Sequence, residues 1–572
     1  MIKTKMYVPA TEEVCRLKIK NLIHVLSFLI IGTVLFLEIQ TILSQKWYYP
    51  AYLEARFDMV KEFTEIADRA NLQAVFLGSS HPECGIDCMT IYECRKITTY
   101  NLSTSVQPLP VSCYFLNEVF EKQNPQIVLL DASLLFRHSF NDPGWRIALD
   151  LTPFSQNKIG LTTEYASQHS EDNRLGSFIS NIFPIYWYHD RWPKLTVSDF
   201  ERPEKRRNYY CKGSRITNVI TPTFDVLDQF NETARQLVEN VDWSNDMANG
   251  AYNDLMETAA LYDPSIDDAS LDYMLKIKLL CEQHNAKLVL IKIPAIGYPQ
   301  YYEGAWTQLR SNAVKEMAEQ YNLEFLDLLY DYDLGIDWDR DSSDGGHHLN
   351  YLGAQKVSSF IADYLAEEQG LTGSVCQAYE EDLPIYNEVC RLSDLQTTQH
   401  LKEHLELLKQ LDNVTVFFSA SDDMMGSLSL EDRQAFREFG ILTDFNSLGY
   451  RDAFLAVMEN GELRSDRSSS RRIADEGTLT NGCTYAISSC GWLAGSESTI
   501  IIDGVDYSLN RRGINIVVLD NASGLVLDSV AFDTSDVPEN QSAFRDNGRT
   551  ETFLREYEQY LMIEDAKNGI GG

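Results

Sequence analysis

Ala74-Val75-Phe76-Leu77-Gly78-Ser79-Ser80-His81 is the stretch on which the reading of this chain turns. A short apolar run closed by a glycine is too brief for a buried helix and fits a strand covered on both faces. Such strands belong to parallel sheets, whose crossover helices pack on each side. The Gly-Ser-Ser that follows stands where strand should give way to helix, a place that exposes a small side chain beside free backbone N–H groups. Ser80 is therefore the candidate nucleophile. Read alone, the triplet also describes a turn with a helix N-cap.

Similar runs recur at Ile97 to Leu102, Ile127 to Leu135 and Leu288 to Ile293, with amphipathic helices between them. A last strand, Leu323 to Leu329, precedes Gly345-Gly346 and a helix from about Gly353 to Ala366. The alternation predicts an α/β fold with a parallel sheet flanked by helices, and in such sheets sites form at the carboxyl ends of the strands. This domain is drawn from 45 to 370. Residues 140–260 lack the periodicity, carry aromatic segments such as Pro184-Ile185-Tyr186-Trp187-Tyr188-His189-Asp190-Arg191-Trp192, and read as an insertion over the site. A linker and helix follow at 371–411, with Leu401, Leu405, Leu408 and Leu411 at helical spacing. Residues 412–572 then show strands at Val414 to Ser419, Ala453 to Met458, Ser498 to Ile502 and Ile514 to Leu519, with turns at Asn460-Gly461 and Asp503-Gly504. They predict a smaller, strand-rich α+β domain.

No charge falls between Lys20 and Glu38, and the apolar run continues to Leu43, enough to cross a bilayer. Lys3, Lys5, Arg16, Lys18 and Lys20 outnumber Glu12 and Glu13 before it, which keeps residues 1–21 cytoplasmic, makes 22–44 a transmembrane anchor and sends the rest outward. The aromatic Trp47-Tyr48-Tyr49 and the lack of a small-residue cleavage site favour an uncleaved anchor in the plasma membrane. The net charge of −35 excludes nucleic acid as the main partner, because phosphate binding needs a basic footprint. A basic cluster at Arg202, Lys205, Arg206, Arg207, Lys212 and Arg215 reads mainly as a solvated face. Cys376/Cys390 and Cys483/Cys490 are candidate disulfides in an outward compartment. Cys84, Cys88 and Cys94 lack histidines to complete a zinc set, and no metal or cofactor is expected.

A second chemical element is Asp341-Ser342-Ser343-Asp344-Gly345-Gly346-His347-His348-Leu349-Asn350-Tyr351-Leu352-Gly353. A serine hydroxyl needs an imidazole to take its proton, and the imidazole needs a carboxylate to fix its tautomer. Ser80, His348 and Asp344 can fill those roles, from the first and last strands of one domain.

With Tyr100-Asn101-Leu102 as a middle block, these segments make residues 70–368 resemble the SGNH (GDSL-like) hydrolases, especially the membrane-anchored branch with the teichoic-acid D-alanylation and alginate O-acetylation proteins. The resemblance implies an oxyanion hole at the backbone of Ser80 and of Ser103, which stands where the family has glycine; a third-block asparagine is missing. The family's Asp-x-x-His spacing picks His347, whereas its step from histidine to glycine picks His348; His348 is preferred and His347 is the alternative. Residues 412–564 resemble the interleukin-like EMT inducer (ILEI/PANDER) domain through Ser508 to Val518 and Val530 to Thr534, with the family order permuted, which implies glycan recognition.

The function expected is that of an extracytoplasmic serine esterase or O-acyltransferase acting on cell-envelope polysaccharide, with a glycan or acyl donor as partner and the membrane bound through one helix. The alternative is a non-catalytic assembly or glycan-binding protein that partners a membrane-bound acyltransferase.

Overall fold

The computed structural model describes residues 10–43, 59–136, 142–169, 173–183, 185–195, 197–200, 211–222, 265–296, 303–449, 451–535 and 543–569. Two compact units emerge: Met1–Asp58 with Asp142–Lys205, and Met59–Asn141 with Arg206–Gly572.

The first unit contains the helix Ala10–Leu43. Its segment Ile19–Leu43 spans 25 residues at a mean hydropathy of 2.4, so it is long and apolar enough to cross a membrane, as an anchor or a signal sequence does. Helices Asp142–Leu151, Gln156–His169, Arg174–Ile182 and Ile185–Tyr188 belong to the same unit. The first half of the predicted insertion thus groups with the apolar helix, its Phe183 ring set edge-on to Phe36 at 5.5 Å. Residues 211–222 belong to the second unit, and 223–260 lie outside the described residues.

In the second unit β1 (Ala74–Gly78), β2 (Thr99–Ser103), β3 (Ile127–Asp131), β4 (Lys287–Lys292) and β5 (Glu324–Asp327) form a wholly parallel sheet in the order β2-β1-β3-β4-β5. Phe76, Leu129, Val289, Ile291 and Leu326 pack with Val357 and Ile361 of the helix Tyr351–Asp363 in one core. Parallel pairing brings all carboxyl ends to one edge, so Gly78, Ser103 and Asp131 end together. The third run stops at Asp131 rather than Leu135, because the Asp131 carboxylate accepts the Ser133 N–H at 2.9 Å and turns the chain into a 3₁₀ segment, Ala132–Phe136.

The strand-rich region holds β6 (Val414–Asp422), β7 (Ala453–Glu459), β8 (Glu462–Ser469), β9 (Ile473–Thr478), β10 (Thr484–Gly491), β11 (Glu497–Ile502), β12 (Val505–Asp506), β13 (Gly513–Asp520), β14 (Val526–Phe532) and β15 (Ala543–Phe544) in one sheet. β6 lies centrally, antiparallel to β13 and β7 and parallel to β10 at one end. Asn460-Gly461 and Asp503-Gly504 join β7 to β8 and β11 to β12 with both turn residues at positive φ (53° and 76°, 46° and 84°), as tight hairpins require. Helices Leu383–Thr397 and Leu401–Leu408 lead from one sheet to the other. There the Gln396 amide accepts from Asn218 Nδ2 at 2.7 Å and donates to Leu527 O at 2.6 Å.

The expected disulfides are absent: Cys376, Cys390, Cys483 and Cys490 are all thiols. Cys483 and Cys490 sit at opposite ends of β10, roughly 23 Å apart at the rise of an extended chain, whereas a disulfide tolerates about 7 Å between Cα atoms. Cys390 lies inside the helix Leu383–Thr397, where burial pushes its thiol up to about 12. Cys84 and Cys88 are buried, and burial raises both to about 12, which suits thiols packed as small apolar groups.

Candidate active site

The carboxyl end of β1 delivers Ser79 and Ser80. Ser79 caps the helix Ser80–Gly85, its Oγ accepting from His81 N at 3.3 Å. Ser79 also donates both its N–H (3.1 Å) and its hydroxyl (2.6 Å) to Asp131 Oδ2 at the end of the neighbouring strand. Ser133 Oγ donates to the same oxygen at 2.8 Å. Asp131 therefore clamps the turn and fixes the direction in which Ser80 emerges. Asn101, from the middle block, supports the other side by donating to Pro82 O at 2.8 Å. Ser80 itself is 8% exposed and opens the helix, where the helical ladder leaves its N–H unused.

The histidine comes from the loop before Tyr351–Asp363. Gly345 and Gly346 adopt φ of 82° and 112°, a consecutive left-handed pair open to glycine, and so fold the loop back over Asp344. Asp344 Oδ1 then accepts the N–H groups of His347 (3.2 Å) and His348 (2.8 Å). Ser342 Oγ braces the turn from inside, accepting Gly346 N at 2.6 Å and donating to His348 O at 3.1 Å. Asn350 caps the following helix through Leu352 N at 3.0 Å and ties it back to Arg340 O at 2.6 Å.

The two halves meet in a continuous hydrogen-bonded chain. His348 Nε2 lies 2.7 Å from Ser80 Oγ, and His348 Nδ1 lies 2.6 Å from Asp344 Oδ2. His348, not His347, occupies the bridging position. Burial pushes the Asp344 carboxyl up, but the His348 hydrogen bond and charge outweigh it and hold the group below its usual range. An ionised carboxylate on Nδ1 fixes the proton there and turns Nε2, as acceptor, toward the serine. This arrangement can draw a proton from Ser80 as its oxygen attacks an electrophile.

His347 packs edge-on against His348 at 4.4 Å, and His81 against His347 at 4.9 Å. One ring nitrogen from each of His81, His347 and His348 falls within 4.8 Å of the others, the one grouping with metal-ligand spacing among the described residues.

Ser103 ends β2 opposite Gly78 and is buried, its Oγ without a hydrogen-bond partner among the described residues. Along β2 the N–H groups alternate in direction: Thr104 N–H bonds inward to Gly78 O at 3.1 Å, and Asn101 N–H bonds outward to Lys212 O at 3.0 Å. Ser103 shares the phase of Asn101, so its N–H faces the outer edge of β2. Three residues on, Val106 is held at φ 50°, a strained conformation for a β-branched residue, next to Ser105, whose hydroxyl donates to Glu83 of the Ser80 helix at 3.1 Å.

Asp131 escaped sequence reasoning, although it had a signal, an acidic residue ending an otherwise apolar strand at the edge where sites form. The strap 211–222 is the part of the predicted insertion that reaches the site, and it does so through backbone: Arg215 N donates to Glu83 O (2.9 Å), Thr221 N to Ser342 O (2.9 Å), and Thr217 O accepts Tyr351 N (2.8 Å). It thereby touches both the Ser80 helix and the histidine loop. Lys212, one of the basic cluster, is fully buried and paired with Asp382, so it is no part of a solvated face; 202–207 lie outside the described residues.

A scan against protein families finds no match for this chain, and a search of curated proteins finds none.

Proposed function

We propose that this chain is a membrane-anchored serine acyl-ester enzyme of SGNH type, acting outside the plasma membrane on cell-envelope polysaccharide. The observation that carries the reading is the Ser80–His348–Asp344 chain, with contacts of 2.7 and 2.6 Å, at the carboxyl edge of a parallel sheet. Ser80 Oγ attacks the ester carbonyl while His348 Nε2 takes its proton; His348 then gives that proton to the departing alcohol, leaving an acyl-serine. Water or a sugar hydroxyl, deprotonated by the same imidazole, accepts the acyl group and restores Ser80. The Ser80 N–H is the proposed donor to the oxyanion, with Ser103 proposed as its companion. Similarity to acylation proteins and to a glycan-associated domain carries the choice of polysaccharide, which is an argument by analogy.

The outward phase of the Ser103 N–H favours a second reading, in which the cleft binds glycan or a membrane acyltransferase without turnover. A fluorophosphonate probe separates the two. Labelling of the wild-type protein that disappears in Ser80→Ala supports the enzyme; a folded wild-type protein that stays unlabelled overturns it.

A further inference from the structure

We infer that residues 183, 185–195 and 197–200 form a second membrane contact, an aromatic plate seated in the bilayer interface beside the anchor; this rests on reading Ile19–Leu43 as membrane-spanning. The segments Ile185–Tyr188, His189–Lys194 and Val197–Phe200 all pack against the helix Ala10–Leu43. They meet it at the end that leaves the membrane. Ile19 to Ile39 are exposed, whereas Leu43 is buried. Arg191 Nη1 donates to Leu43 O at 2.7 Å, satisfying a carbonyl that the helix end leaves open, and its other nitrogen pairs with Asp199 at 2.8 Å. A guanidinium on the terminal carbonyl marks the polar boundary, as cationic side chains do at helix ends in membranes.

From that boundary Phe183 reaches inward. Phe36, the partner of Phe183, lies seven residues before Leu43, about 10 Å deeper along the helix axis. A ring set edge-on against the anchor at that depth belongs among acyl chains, not in water. Its neighbours Tyr186, Trp187, Trp192 and Phe200 are 60%, 48%, 71% and 63% exposed. Exposed apolar groups this dense on a short segment call for a covering surface. Tryptophan and tyrosine, with an apolar body and a polar edge, are the side chains that the headgroup zone concentrates. Continuity with the anchor makes that surface lipid. A monotopic plate next to a single span would hold the unit at a fixed depth, where one helix alone leaves it free to swivel.

The test uses the full-length protein in phosphatidylcholine vesicles whose acyl chains carry bromine either near the headgroup or near the chain end. Tryptophan emission should be quenched more by the shallow bromines, and Trp187→Phe/Trp192→Phe should remove at least about half of the quenched signal, with an unchanged circular-dichroism spectrum. Trp192→Phe alone, at a highly exposed position, should remove part of it and serves if the double variant misfolds. Equal quenching in wild-type and variant proteins overturns the plate, and a partner protein's helix becomes its covering. An alkaline carbonate wash tells the two readings apart: protein that stays in the pellet without quenching from Trp187 and Trp192 keeps the anchor and loses the plate. Protein released by the wash loses both.

Discussion

His348 is held from both sides, by Asp344 on Nδ1 and Ser80 on Nε2, so each residue's removal has a distinct signature. Ser80→Ala and His348→Ala should each abolish probe labelling, and the double variant should be no worse than either, because groups that act as a unit do not lose additively. Asp344→Ala should retain a small remainder, and His347→Ala should label at nearly the wild-type rate. Asp344 contributes to the acid limb of stability. Its folded pKa lies below the ordinary carboxylate value, so the contribution is complete above that value and disappears as pH falls through the folded one. Thermal melts of the wild type and of Asp344→Asn should therefore converge as pH drops below about 4. Asp131→Ala leaves the Ser79 N–H and hydroxyl without their acceptor in a buried turn, a loss of about 2–4 kcal/mol counted over the two groups. Urea titration should show that loss, and labelling of the remaining folded protein should slow, since Ser80 is no longer aimed.

The strands of the parallel sheet were legible because they are buried on both faces. β1, β3 and β4 have apolar interiors because helices cover both faces, so hydropathy alone marked them. β8 and β9 are rich in polar residues, Arg464 to Ser469 and Asp475 to Glu476, with little apolar contrast, and went unread. Competing spacings favoured His347 and His348 in turn, and the preference for His348 rested on its step to Gly353. The choice depends on the Gly345-Gly346 turn, a matter of backbone conformation. The helix that follows is equally constrained. At Gly353 an added Cβ would lie 2.7 Å from Asp341 O and 2.9 Å from Leu349 Cδ2, so Gly353→Ala must push the helix off the loop. The expected cost is about 1–3 kcal/mol by chemical denaturation, with slower labelling because Asp344 and His348 ride on that loop.

Across the whole second unit, the two sheets are tied by buried polar groups and not by apolar packing alone. Arg545 binds Asp528 of β14 at 3.1 Å and the carbonyls of Leu395 and Thr398 at 2.9 and 2.8 Å, joining the last strands to the connecting helices. His404 lies beside this group, 3.9 Å from Asp528, yet burial and then the Arg545 charge hold its pKa well below the usual value, so the ring is neutral and forms no ion pair. A histidine with a depressed folded pKa stabilises the fold above the unfolded value and loses that contribution as pH falls beneath it. Melting temperature should accordingly decline from about pH 6.5 downward, and His404→Gln should flatten the decline. Calorimetry on wild-type protein should give one transition for both sheets, since Asp528, Arg545 and Gln396 couple them. The Ser80–His348 bond, finally, joins residues 268 positions apart. A contact of that span forms late, because the entropy of closing a long loop must be met before the bond contributes. During synthesis the serine emerges long before its partner, and the Ser80–His348 contact waits until the last parallel strand and its helix have docked. In refolding experiments probe labelling should lag behind the return of helical signal, which makes acylation a clock for the completion of folding.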